Sequence, residues 1–331
     1  MKSIFIVDDN DVNLITAEKA LTNQFQVYTL PSAIEMFELL KDITPDLILL
    51  DILMPEINGF EAMISLQEDP RYSQIPVIFL TSRNDPVTEA MGLELGAVDF
   101  VSKPFSEPVL INRIITHLKI DDIIHQRTER LQRLKNSMVS VLAEMLESRD
   151  RTTGGHIDRT SSYLRLLINA MIEKDVYAND LKDWDIELIV NSARLHDVGK
   201  ITVSDLILNK PGPLTDEEFE TMKIHAAEGE RIINKIISQA GEEDFLLSAK
   251  LFAGYHHERW DGKGYPHGLK GEDIPLQGRI MAIIDVFDAL SSDRPYKKAL
   301  EEHEVLKIIT ESRGTHFDPV ITDVFLEMRN K

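Results

Sequence analysis

Two histidines stand side by side in GYHHERWDGKGYP (254–266), in a chain with only ten histidines and no cysteine. Scattered imidazoles decorate surfaces, whereas paired ones suit a metal ion. Without thiolates, the ligands left to this chain are His, Asp, Glu and backbone oxygen. The second half places such groups on the apolar faces of helical segments. Ile186, Ile189, Val190 and Ala193 form a stripe that His196 and Asp197 continue, and Phe219, Met222, His225, Gly229 and Ile232 share one face. Ala249, Phe252 and Ala253 lead to His256 and His257; Met281, Asp285 and Asp288 align; His156 shares its stripe with Tyr163 and Leu167. A buried ionised group without a partner costs several kcal/mol. One inward histidine is more often a hydrogen-bonded core residue. Five from four helices, interleaved with carboxylates, indicate shared metal ions.

The first half carries a different constellation. Asp8 and Asp9 follow the apolar run SIFIV, Asp51 follows DLILL, Thr81 follows PVIFL and Lys103 follows AVDFV. If these runs are parallel strands, the polar residues converge on the crevice outside their carboxyl ends. Three carboxylates held together repel unless a cation lies among them, and an all-oxygen set suits Mg²⁺.

The elements that must position these groups follow from periodicity. Apolar runs at 3–7, 26–30, 46–50, 76–80 and 97–101 alternate with helical patterns, which predicts an α/β doubly wound fold with a five-stranded parallel sheet over residues 1–118. No Gly or Pro interrupts residues 109–153. There Ile120, Ile124, Arg127, Leu131, Leu134, Met138, Val141 and Met145 alternate in steps of four and three, which predicts a linker helix over 119–148 forming a dimeric coiled coil. From residue 149 to 331 strand patterns vanish, and an all-α bundle is expected. The balance of 36 basic against 56 acidic residues, a net charge of −20, argues against binding DNA or anionic membrane. No apolar run reaches the ~18–20 residues of a membrane span, and MKSIFIVDDN does not read as a signal peptide, so a cytoplasmic protein is expected.

The segments VDDN (7–10), LLDILMPEINGF (49–60), LTS (80–82) and KPF (103–105) make residues 1–118 resemble response-regulator receiver domains. The resemblance implies a two-component system with a cognate sensor histidine kinase. Asp51 would accept the phosphoryl group, and Asp8 and Asp9 would hold Mg²⁺ with it. Lys103 would pair with the phosphoryl group, Thr81 would hydrogen-bond it, and Phe100 stands where the switching aromatic of that family lies.

HD at 196–197 followed by VGK, then His225 and Asp285, resembles the HD metal-dependent phosphohydrolases. HHERWDGKGYP, DVFDALSSDRPYKKAL (285–300) and GTHFDP (314–319) narrow the resemblance to the HD-GYP family over 149 to about 320. It implies a cyclic-di-GMP phosphodiesterase with two divalent ions, iron or manganese, although His/Asp ligation alone also admits zinc. His196, Asp197 and Asp285 would hold one ion, and Asp197 would bridge to another held by His225, His256 and His257. Lys200 would stabilise charge at phosphorus. Tyr265 would border the substrate, Arg294 and Lys298 would contact its phosphates or guanines, and Asp288 would support the site. Some members hold a third ion with a glutamate four residues before the histidine equivalent to His156. Here that position is Thr152. Two ions are therefore expected, with His156 beside them or on substrate, and the reaction would stop at linear pGpG if GMP needs the third. Two other readings remain: a non-catalytic cyclic-di-GMP binder, and a hydrolase of another cyclic dinucleotide.

Overall fold

The structure, a computed structural model, describes residues 1–81, 86–150, 155–293 and 298–329. It divides into two compact units, Met1–Leu131 and Gln132–Lys331.

In the first unit, strands β1 (Ser3–Val7), β2 (Gln26–Leu30), β3 (Leu47–Asp51), β4 (Val77–Thr81) and β5 (Asp99–Ser102) form one parallel sheet in the order β2-β1-β3-β4-β5. Alternate residues serve opposite faces, as a pleated strand requires. Ile4 and Ile6 pack with Leu14 and Ala17 of α1 (Asp11–Leu21), whereas Phe5 and Val7 pack with Met36 of α2 (Ala33–Leu40) and Met63 of α3 (Gly59–Glu68). Helix α4 (Pro86–Glu94) precedes β5. β3 and β4 are buried at every position, which is why they read as unbroken apolar runs. They end one residue later than their apolar stretches suggest. Asp51 and Thr81 are the last ladder residues, opposite Leu80 and Ser102 respectively.

Helix α5 (Glu107–Arg149) is one 43-residue element, and the division between the units falls within it. It starts well before the expected linker because Leu110, Ile114 and Leu118 close the core over the sheet face of α1. Its last turns bury Val139 and Ala143 in the second unit.

That unit continues with α6 (His156–Glu173), α7 (Ala178–Leu181), α8 (Ile186–Ala193), a 3₁₀ turn at Val198–Thr202, α9 (Asp205–Leu208), α10 (Asp216–Ala240) and α11 (Asp244–Tyr255). A second 3₁₀ turn at Gly271–Asp273, α12 (Leu276–Ser291), α13 (Glu302–Glu311) and α14 (Pro319–Arg329) complete it. One core joins α6, α8, α12, α13 and α14, and a smaller one joins α5, α10 and α11. Local chemistry fixes the ends that matter. Asp185 caps α8, and Thr215 with Glu218 forms a capping box on α10. Helix α8 stops at Ala193, so His196 and Asp197 lie in the turn after it rather than on its stripe. The following 3₁₀ turn then runs backbone-to-backbone against α10. A Cβ at Gly199 would stand 1.9 Å from the His225 carbonyl oxygen, so only glycine admits this approach.

Candidate metal centre

Five imidazoles converge in the second unit. His196, His225 and His256 each turn Nδ1 to a backbone carbonyl of the preceding turn: Ala193 at 2.9 Å, Met222 at 2.7 Å and Phe252 at 2.9 Å. A carbonyl only accepts, so each Nδ1 carries the proton and each Nε2 presents a lone pair. The lone pairs of His225 and His256 face each other. The Nε2 of His225 lies 3.3 Å from that of His256 and 3.1 Å from that of His257. Two bare lone pairs at that separation repel, and a cation between them removes the conflict. Burial favours the neutral form of three of them, pushing His256 down to about 3 and also lowering His225 and His257. At His196 burial is outweighed by Asp197 and Asp285, which raise its pKa.

A second triad adjoins the first. His156 Nε2 lies 3.3 Å from His196 Nε2 and 3.6 Å from Asp285 Oδ1. Asp197 stands between the triads, with Oδ2 3.4 Å from His196 Nε2 and Oδ1 3.5 Å and 3.8 Å from the Nε2 atoms of His225 and His256. Burial opposes ionisation of Asp197, but Lys200 and His196 outweigh it and hold the carboxyl well below its usual range. The donor set of imidazole nitrogens and aspartate oxygens around two positions fits divalent ions.

His156 lies within the second triad. Its free nitrogen joins His196 and Asp285, while Nδ1 meets Asp288 Oδ2 at 2.7 Å. Arg159 in turn grips Asp288 through Nε at 2.6 Å and Nη2 at 3.0 Å. This Arg–Asp–His chain is the usual means of fixing a metal-facing tautomer. Burial disfavours the Asp288 carboxylate, yet His156 and Arg159 lower its pKa below the ordinary value.

Lys200 Nζ lies 2.8 Å from Asp197 Oδ2 and 3.0 Å from Asp150 Oδ2. Burial works against its ammonium, but the two carboxylates raise its pKa above that of a free lysine. Tyr265 packs its ring on His257, with centroids 4.7 Å apart. The Gly-Tyr-Pro loop is held by Glu258, whose buried carboxylate accepts from the backbone N–H groups of His267, Gly268 and Leu269 at 2.7, 3.1 and 2.9 Å. The loop folds back so closely that a Cβ at Gly264 would meet Arg259 N at 2.4 Å.

In the first unit, Asp8, Asp9 and Asp51 bring oxygen atoms within 4.8 Å of one another. Lys103 Nζ lies 2.5 Å from Asp8 Oδ2 and 2.9 Å from Asp51 Oδ1. Burial raises the pKa of Asp51, with Lys103 offsetting part of the effect. Thr81 is buried at the end of β4, and Phe100 is buried on β5 against Phe79 at 5.3 Å.

Lys298 is exposed in coil, and Arg294 and Thr152 fall outside the described residues. Four contributors escape sequence reading: Glu147, whose Oε1 accepts from His156 N at 2.6 Å, and Asp150, Arg159 and Glu258. Glu258, next to the paired histidines, offered a signal by position; the others sit in charged stretches that read as solvated.

Two family models of known proteins match the chain. That of the HD domain matches residues 121–321, and that of the response regulator receiver domain matches residues 4–115. The chain belongs to the HD-domain family and carries a receiver domain ahead of it. It is similar to a probable cyclic di-GMP phosphodiesterase of Vibrio cholerae serotype O1, 40% identical, covering 98% of this chain and 77% of that one. It is also similar to the cyclic di-GMP phosphodiesterase response regulator RpfG of Xanthomonas campestris pv. campestris, 36% identical over 86% of this chain and 75% of that one. The 3'3'-cGAMP-specific phosphodiesterase 2 of Vibrio cholerae is 36% identical over 60% of this chain and 35% of its own length.

Proposed function

We propose that this chain is a response regulator whose second unit hydrolyses cyclic di-GMP to linear pGpG, under control of phosphorylation at Asp51. The observation that carries the reading is the pair of candidate ligand triads flanking Asp197, in a chain whose relatives, matched over about three quarters of their own length, bear that activity in their names. His156, His196 and Asp285 would hold one ion, and His225, His256 and His257 the other, with Asp197 between them. Two divalent ions there, iron or manganese, would acidify a water and neutralise the phosphoryl oxygens. The residues do the rest. Asp288 and Arg159 fix the tautomer of His156, and the carbonyls of 193, 222 and 252 fix three more. Lys200 supplies a positive charge at the edge of the centre, and Tyr265 with its Glu258-tethered loop forms one wall. Tyr265 and Lys298 are the side chains assigned to substrate. Asp8, Asp9 and Asp51 would hold Mg²⁺, with a sensor histidine kinase as phosphodonor in the cytoplasm. No helix among the described residues is long and apolar enough to cross a membrane.

The test uses anaerobically purified protein with Mn²⁺ or Fe²⁺, offered cyclic di-GMP and 3'3'-cGAMP separately. Metal-dependent pGpG, abolished by chelator, is the expected result. Turnover of 3'3'-cGAMP alone would favour the substrate in the third relative's name. Substrate bound but intact under both metals would mark a binding module instead.

The chain also presents a seam for a second copy. Ile120, Ile124, Leu131, Leu134, Met138, Val141 and Met145, spaced as a heptad, all lie exposed along α5. We assign them to a parallel α5–α5 coiled coil. Light scattering at assay concentration is expected to give a dimer that Leu134→Glu/Met138→Glu converts to monomer. A monomeric wild type would remove the assignment.

A further inference from the structure

Asp150 lies one residue beyond α5, is 6% exposed, and points its carboxylate at the Lys200 ammonium. Its neighbours hold it there. Arg149 donates to the carbonyls of Ile201 and Val203 at 3.2 and 3.3 Å and pairs with Asp205 at 2.7 Å. Asn209 donates to the Arg149 carbonyl at 2.9 Å, and Glu147 accepts from His156 N. The last turn of α5 is thus tied to the 3₁₀ turn that carries Lys200 and to the first residue of α6. Lys200 has two carboxylate neighbours, but Asp197 also faces His196, His225 and His256. Once the Asp197 oxygens serve ions, the other carboxylate left to the ammonium is Asp150.

We infer that Asp150 is a positioning residue for Lys200, holding its ammonium at the edge of the metal centre where the substrate phosphate must lie. A lysine stem has four rotatable bonds, so an untethered ammonium samples many positions. A buried carboxylate facing it selects one of them. Attachment of α5 does not need this contact, because Arg149, Asn209 and Glu147 already provide it. The kinetic half of the inference rests on the hydrolase reading above; the contact itself does not.

The test compares wild type with Asp150→Asn, Lys200→Ala and the double variant in the full chain. Reductive methylation of Lys200, followed by peptide mass spectrometry, is expected to run several-fold faster in D150N. Mn²⁺ content by elemental analysis should equal that of wild type. With cyclic di-GMP, kcat should fall about tenfold with KM within about twofold, the signature of a misplaced group rather than lost binding. The double variant should be no slower than K200A, because Asp150 acts through Lys200. Wild-type methylation in D150N, additive losses in the double variant, or loss of Mn²⁺ would each overturn the inference. If D150N does not fold, Asp150→Glu keeps the charge but displaces it: slow methylation with reduced kcat supports positioning, and wild-type kcat refutes it. Should the wild type hydrolyse no cyclic dinucleotide, the hydrolase reading fails while the methylation rates still decide the contact.

Discussion

Asp197→Asn is expected to lower kcat for cyclic di-GMP by about 10³-fold or more and to cut bound metal from two ions per chain to one or fewer. The reason lies in which atoms face which. Oδ2 is directed at His196 and Oδ1 at His225 and His256, so one carboxylate serves both triads. An asparagine keeps the shape but has one acceptor oxygen and an NH₂ that turns its hydrogens toward the imidazole lone pairs. That NH₂ can satisfy a neighbouring Nε2 without any ion, so the variant should fold and stay empty at one position. It also removes one of the two carboxylates that hold Lys200. Elemental analysis after Mn²⁺ loading and dialysis, with turnover on the same sample, decides the matter. Two retained ions with kcat within tenfold of wild type would show that Asp197 does not join the triads.

The sheet and the inward-facing histidines were legible in the sequence for different reasons. β3 and β4 are covered on both faces, so burial wrote itself as four apolar residues in a row. Their last residues escaped that rule because Asp51 and Thr81 are polar yet complete the ladder. Inward histidines stood out because an imidazole on an apolar stripe needs an explanation. Their grouping was not legible from spacing; the family resemblance implied it for all but His156. Spacing along one helix gives the face of a side chain but not its distance to another helix, and His156 joins His196 and Asp285 only through the packing of α6 on α8 and α12. Asp150, Arg159 and Glu147 were hidden for a related reason. Each is a charged residue in a charged stretch, and only the folded arrangement reveals that its partner is Lys200, Asp288 or the backbone of His156. The heptad seam was visible, but the start of α5 at Glu107 was not, because its first turns use their apolar residues to close the first unit.

In the first unit, Asp51→Asn is expected to take up no phosphoryl group from acetyl phosphate and Mg²⁺, whereas wild type does, and to lose every phosphodonor-dependent change in hydrolysis. The transfer forms a bond from an Asp51 carboxylate oxygen to phosphorus and releases acetate. An amide oxygen at the same position is a far weaker nucleophile and brings no negative charge to the cation. Lys103 sits between Asp8 and Asp51, so its ammonium already stands where the new phosphoryl charge would appear. A gain of about half to one negative charge at Asp51 strengthens the pull on Lys103 and creates new acceptor oxygens for the Thr81 hydroxyl at the adjacent strand end. Phe100 lies inward against Phe79, over a position where a Cβ on Gly92 would come within 2.3 Å of its ring. Any rearrangement that draws Thr81 toward Asp51 therefore acts on a packed aromatic pair made by Phe79 of the same strand and Phe100 of the next, and D51N should leave that pair as it is. Phosphate-affinity electrophoresis reads the first half, and hydrolysis with and without acetyl phosphate reads the second. Equal phosphoryl uptake in D51N would move the acceptor to another residue. A phosphodonor effect that survived in D51N would mean that the receiver does not control the second unit through Asp51.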